Sequence, residues 1–146
     1  MSMNWRVLSA ILGVAVLAAG ALYAIHLTAP APPELDLARS KPTEKGVYVA
    51  GVKPDAGAIE IGQMQGWTLT LATPDGKPVT GAVVMVDGGM PDHNHGLPTS
   101  PRVTADLGDG RYAVEGLKFH MNGWWVLRFD ISAGAGSDHV VFNLRL

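Results

Sequence analysis

An apolar run over residues 7–27, VLSAILGVAVLAAGALYAIHL, constrains this chain more than any other feature. A helix of about 20 such residues spans the hydrocarbon core of a bilayer, whereas a cleaved signal has an apolar region of only about 7–15 residues. We therefore predict an uncleaved membrane anchor over residues 1–28. Trp5 and Tyr23 suit the two interfaces, and Arg6 marks the cytoplasmic end. The expected location is the inner membrane, crossed once, with the remaining domain on the periplasmic side.

The composition excludes several classes of function. Charged residues make up 16% of the chain and the formal net charge is -2, so no basic face is expected for nucleic acid. The chain has no cysteine, which excludes disulfides, thiolate metal sites and thiol nucleophiles. The expected partners are the membrane, a metal ion and a membrane protein complex.

After a proline-rich linker over residues 29–45, the sequence breaks into short segments rich in Val, Tyr, Thr and Trp. Their spacing predicts a seven-stranded antiparallel β-sandwich over residues 46–146. The strands are expected at about 47–52, 67–73, 79–87, 102–107, 112–119, 124–131 and 139–144. Met85 is expected in the core, and the period-2 alternation of the sixth strand places Leu127 and Phe129 there.

Strand parity predicts which loops meet. If consecutive strands run up and down between two poles, the connection over residues 88–100 and the Asn122-Gly123 hairpin share one pole. His93, His95 and His120 then lie at that pole, together with Met90 and Met121. His139 falls at the other pole.

This cluster predicts a metal site. In extended backbone, His93 and His95 project to the same side about 6–7 Å apart. A two-residue hairpin pairs His120 with Trp125 and Met121 with Trp124. Imidazole and thioether ligands favour copper, with zinc as the competitor.

Other interpretations remain open for these residues. Asp92 could supply an oxygen ligand or orient a histidine ring. Alternatively, the histidines are ordinary loop residues, and Met90 and Met121 cap the core.

Two segments carry a family resemblance: MPDHNHGLPTSPRVT at residues 90–104 and GDGRYAVEGLKFHMNGWW at residues 108–125. They resemble the YtkA-like and FixH-like periplasmic domains, which include bacterial proteins labelled auxin-binding. The resemblance covers residues 46–146 and implies an immunoglobulin-like sandwich with a role in copper handling or oxidase assembly. The matching positions are His93, His95, Gly96, Pro98, Thr99, Phe119, His120 and Met121.

Three functions follow as expectations. The first is a membrane-tethered, periplasmic copper-binding protein with the ligands His93, His95, His120, Met121 and Met90. The second is a metal-free adaptor for assembly of a membrane enzyme complex. The third, binding of a small acid, is disfavoured because side chains fill the interior of so small a sandwich. An enzyme is not expected, because the glycine-rich segment around Ser137 is not a nucleophile elbow.

Overall fold

The computed structural model describes residues 34–146, which form two antiparallel β-sheets packed face to face. The strands are β1 (Ser40–Pro42), β2 (Val49–Pro54), β3 (Met64–Ala72), β4 (Val83–Met90), β5 (His95–Gly96), β6 (Arg102–Gly108), β7 (Arg111–Lys118), β8 (Trp124–Ala133) and β9 (Gly136–Arg145). Sheet I has the order β1-β2-β3-β7-β6, and sheet II has the order β5-β4-β8-β9. The all-β sandwich predicted from the sequence is confirmed.

The described residues contain no helix long and apolar enough to cross a membrane. The predicted anchor over residues 1–28 lies outside the described part of the chain, as do residues 29–33 of the predicted linker.

The structure has nine strands, two more than the seven predicted. The first addition, β1, lies inside the segment predicted as linker and pairs with β2 through Lys41 opposite Ala50. The second, β5, lies inside the predicted loop over residues 88–100 and pairs with the end of β4. Both strands are only two or three residues long, which is too short to show an alternating pattern in the sequence.

Short connections follow both β6 and β7, and only the first of them joins strands of the same sheet. The β6–β7 hairpin forms through Gly108-Asp109-Gly110, where all three residues have positive φ. The predicted hairpin at Asn122-Gly123 is wrong, because β7 belongs to sheet I and β8 to sheet II. This segment crosses between the sheets instead.

The inner face of β8 supplies much of the core. Trp125, Leu127, Phe129 and Ile131 are buried, as the alternation predicts. The expectation for Met85 is wrong: it is 68% exposed, because the β4 side chains that point inward are those of Val84 and Val86.

An N-terminal strap, residues 36–47, closes one side of the sandwich. The Arg39 guanidinium donates to the backbone oxygen of Asn143 in β9 at 2.7 Å, while the Arg39 backbone oxygen accepts from Val52 in β2 at 2.8 Å. The Asn143 side-chain amide donates in turn to the backbone oxygen of Asp36 at 2.9 Å. Much of the segment predicted as a spacer is therefore bound to the domain.

The strap is held at its far end by Asp138, which is 5% exposed. This carboxylate accepts hydrogen bonds from the Thr43 hydroxyl and from the backbone N–H groups of Lys45, Val47 and His139. Burial acts to raise the pKa of Asp138, but these four donors stabilise the charged form more strongly and lower the pKa to about 2. The charged form of Asp138 therefore stabilises the fold.

We expect Phe129→Ala to lower the free energy of unfolding by about 3–5 kcal/mol, because it removes a buried ring and leaves a cavity. Arg128→Ala is the matched control, since its side chain lies on the outer face of the same strand and is exposed. Urea unfolding of both variants measures the difference. An equal loss in the two variants would contradict the assigned faces of β8.

We expect Asp138→Asn to lower the melting temperature by several degrees at neutral pH. Because folding lowers the pKa of Asp138 from its ordinary value of 3.8 to about 2, the stabilisation that its charged form supplies is fully present above about pH 4. It is lost as the pH falls towards about 2. The gap between wild type and variant should therefore narrow over that range in thermal melts. Asp92→Asn, an exposed carboxylate at the other pole, should show no such gap.

Candidate functional site at the histidine pole

The end of β4 and the short strand β5 position two of the predicted ligands. Pro91–His93 forms one turn of 3-10 helix after Met90. Asn94 then adopts a left-handed conformation with φ 51°, and His95 follows in β5. This turn, rather than an extended backbone, separates the two histidines.

The predicted extended His-x-His geometry is therefore wrong, although the two rings do lie near each other. Their centroids are 5.9 Å apart. A proline at the start of the turn favours the helical conformation, and asparagine tolerates the left-handed one that reverses the chain. The turn thus replaces strand alternation as the reason that both side chains lie at the same pole.

The segment between β7 and β8 contributes the third imidazole. His120 lies just beyond Phe119, and its ring centroid is 5.1 Å from that of His95. The parity argument thus correctly brings together His95 and His120, which are 25 positions apart. It does so even though β7 and β8 belong to different sheets and are not joined by a hairpin. We call the surface formed by His93, His95, His120 and Met121 the histidine pole.

Trp125 forms the aromatic floor of this pole. The buried indole lies 5.3 Å from the His120 ring and 5.8 Å from the His95 ring, in edge-to-face arrangements. Its N–H donates to the backbone oxygen of Met121 at 3.0 Å. Phe119 packs edge-on against the same indole at 5.3 Å. The site therefore stands directly on the hydrophobic core.

A hydrogen bond fixes the tautomer of His95. Its Nδ1 lies 3.0 Å from the Gly96 carbonyl oxygen. Because a carbonyl can only accept, Nδ1 carries the proton, and in the neutral ring Nε2 keeps a free lone pair. A metal-ligating histidine usually donates its other ring N–H to a carbonyl or carboxylate oxygen. The nitrogen of the neutral His95 ring that can accept a hydrogen bond or serve as a ligand is therefore Nε2.

The two predicted methionine ligands differ in accessibility. Met121 is 36% exposed beside His120, whereas Met90 is 1% exposed. A Cβ placed on Gly123 would lie 2.6 Å from the Met90 methyl carbon, so that side chain packs beneath the β7–β8 connection. Met90 thus lies in the core, as the alternative interpretation held.

The spacing of the rings suits a shared ion. A metal–nitrogen bond of about 2.0 Å places a ligand ring centroid roughly 3 Å from the ion, so two ligand rings lie roughly 5–6 Å apart. The observed separations are 5.1 and 5.9 Å. Nevertheless, within residues 34–146 no three His, Asp or Glu side chains are already placed to hold a metal ion. The exposed imidazoles would have to rotate to converge on one ion.

His139 lies at the opposite pole, as predicted. It pairs with Asp130 across the β8–β9 ladder, five positions along β8 from the Trp125–Leu144 pair, or roughly 17 Å. Its Nε2 contacts the carboxylate of Glu44 in the strap. His139 therefore serves as a distant control for experiments on the site.

Sequence reasoning missed Gly89 and Asn94, which support the site through the backbone. Gly89 lies opposite Gly96 in the β4–β5 pair, and Asn94 is the residue that reverses the chain. The signal was present as Gly88-Gly89 inside a strand, since glycine there marks a close backbone approach.

Fold and site together define a small β-sandwich domain with a histidine cluster at one pole. The profile of the YtkA-like family matches residues 43–130, and the chain belongs to that family. No curated protein matches the chain. Among solved structures, the chain is similar to the ZirS C-terminal domain at 16% identity, with a TM-score of 0.42, covering 80% of this chain and 82% of that one.

We expect peroxide to oxidise Met121 and to leave Met90 intact in the folded protein, because only the first thioether is accessible. Peptide mass spectrometry over a time course measures both positions. Met64 and Met85, which are 62% and 68% exposed, serve as internal positive controls. Oxidation of Met90 at the rate of Met85 would contradict its placement in the core.

Proposed function

We propose that this protein is a membrane-tethered, periplasmic metal-binding protein that carries copper at the histidine pole. The observation that carries the proposal is the approach of His120, in the connection between the two sheets, to His95 in β5, with the ring centroids 5.1 Å apart beside Trp125. Three imidazoles on one small surface are otherwise unexplained by the fold. No catalytic role is part of this proposal.

The chemistry of the donors favours copper over harder ions. His93, His95 and His120 offer imidazole nitrogens, and Met121 offers a soft thioether beside them. Magnesium and calcium prefer carbonyl and carboxylate oxygens, whereas the side chains that define the histidine pole are imidazoles and a thioether. Zinc accepts the imidazoles but gains little from Met121. A copper site therefore predicts that substitution of Met121 lowers the affinity for Cu(I) more than the affinity for Cu(II) or zinc.

The finer assignments of fold and location belong to the same proposal. The sheet orders support an immunoglobulin-like sandwich: β2, β3, β7 and β6 correspond to one sheet of that fold, and β4, β8 and β9 to the other. The apolar run at residues 7–27 supports a single transmembrane helix in the inner membrane.

A set of histidine variants tests the copper proposal. His95→Gln and His120→Gln should each weaken copper binding by about tenfold or more, because each removes a nitrogen ligand. His93→Gln should weaken it less, since its ring lies farther from His95. Met121→Leu should weaken Cu(I) binding more than Cu(II) binding. Competition titration with chromophoric chelators measures each affinity on the full-length protein.

His139→Gln is the matched control and should leave copper affinity unchanged, because His139 lies at the opposite pole. Thermal melts of every variant separate loss of a ligand from loss of the fold. Equal affinities for wild type, His95→Gln and His120→Gln would exclude the histidine pole as the site.

A metal-free adaptor is the second candidate, and exposed apolar side chains at the same pole favour it. The loop before β3 reaches the pole because the Gly62 N–H donates to the Phe119 oxygen at 2.7 Å. That loop exposes Ile61, and Met64 follows it. An adaptor would tolerate His95→Gln and His120→Gln in assembly of its membrane complex but would lose function on Ile61→Asp. A copper carrier would show the reverse.

A further inference from the structure

The close approach of β5 to β4 points to a role for two residues that are not ligands. We infer that Gly89 and Asn94 are positioning residues that hold the His95 imidazole in the proposed metal site. The affinity part of this inference rests on the proposed function. The placement of the His95 ring can be measured without any metal.

Gly89 leaves room for the backbone of β5. A Cβ built on Gly89 would lie 2.4 Å from the His95 carbonyl oxygen and 3.0 Å from the Gly96 Cα. Both are backbone atoms, which cannot move aside as the end of a flexible side chain can. A methyl group at Gly89 therefore has to push β5 away from β4.

The requirement for glycine here is one of space, since the φ angle of Gly89 is not in the left-handed region. Gly96, which faces Gly89 in the same pair, has no such restriction. A Cβ on Gly96 would lie 3.6 Å from the Gly88 oxygen, which is an ordinary contact. The two glycines thus form a matched pair for a test.

Asn94 holds His95 from the other side. Its φ of 51° lies in the region that asparagine and glycine tolerate and β-branched residues avoid. Its backbone N–H donates to the Pro91 oxygen at 3.3 Å, which closes the 3-10 turn that contains His93 and directly precedes His95. Valine at this position would open the turn.

A displacement of β5 acts on the site through one side chain. The His95 ring contacts both His120 and Trp125, and His95 belongs to β5 itself. Constellations of ligands lose function when a supporting segment shifts by about 1 Å. The effect of Gly89→Ala should therefore depend on the presence of the His95 imidazole.

Isotope-labelled histidine resonances of the full-length chain test the placement without metal. The edge-to-face contact with Trp125 gives the His95 ring a ring-current shift. We expect Gly89→Ala and Asn94→Val to move the His95 resonances, and Gly96→Ala and Asn94→Gly to leave them in place. The His139 resonances should stay fixed in all four variants. Unchanged His95 resonances in Gly89→Ala and Asn94→Val would overturn the inference.

Competition titration with copper tests the consequence for binding. Gly89→Ala should lower the affinity by about tenfold or more, whereas Gly96→Ala, which keeps the carbonyl that accepts from His95 Nδ1, should lower it far less. In a His95→Gln background, Gly89→Ala should cause no further loss, because it acts through that ring. An additive loss would overturn the assignment of a positioning role.

The two readouts separate failure of this inference from failure of the proposed function. A shift of the His95 resonances in a protein that binds no copper would sustain the positioning role and defeat the copper proposal. If Gly89→Ala does not fold, the Asn94→Val and Asn94→Gly pair decides the inference alone. Equal His95 resonances in those two variants would then overturn it.

Discussion

The burial of Trp125 is the interaction on which both the core and the histidine pole depend. Its indole packs against Phe119 in the core and also contacts the rings of His95 and His120. Its N–H anchors the Met121 carbonyl, which fixes the path of the chain between the sheets. The packing of Trp125 in the core therefore sets the positions of the exposed imidazoles that contact it.

The positions of the seven longer strands along the chain, and hence the meeting of two distant loops, could be predicted from the sequence. The alternation in β8 marks its buried face, and strand parity holds whether a connection is a hairpin or crosses between sheets. The prediction that His95 and His120 lie at one pole therefore holds even though the predicted hairpin at Asn122-Gly123 is wrong. Parity counts directions along the chain and is insensitive to which sheet a strand joins.

Local detail could not be predicted because it depends on tertiary contacts. Nothing in the sequence near Met90 distinguishes a thioether at the surface from one beneath Gly123. Met85 has the residue type of a core position but falls on the outer face of β4. The short strand β5 exists because Gly89 allows backbone contact, which is a property of two segments and not of either alone.

The two poles of the domain differ in the side chains that they contain. At one, exposed imidazoles stand on Trp125. At the other, the buried carboxylate of Asp138 gathers four hydrogen-bond donors, three of them from the N-terminal strap. The strap also has a consequence for folding. Its bonds join Thr43 to Asp138, and Asp36 to Asn143, across 95 and 107 positions of sequence. Such non-local pairings raise the contact order and slow folding. Because Asp138 and Asn143 lie in β9, the strap can complete these hydrogen bonds only after β9 has taken its place in sheet II.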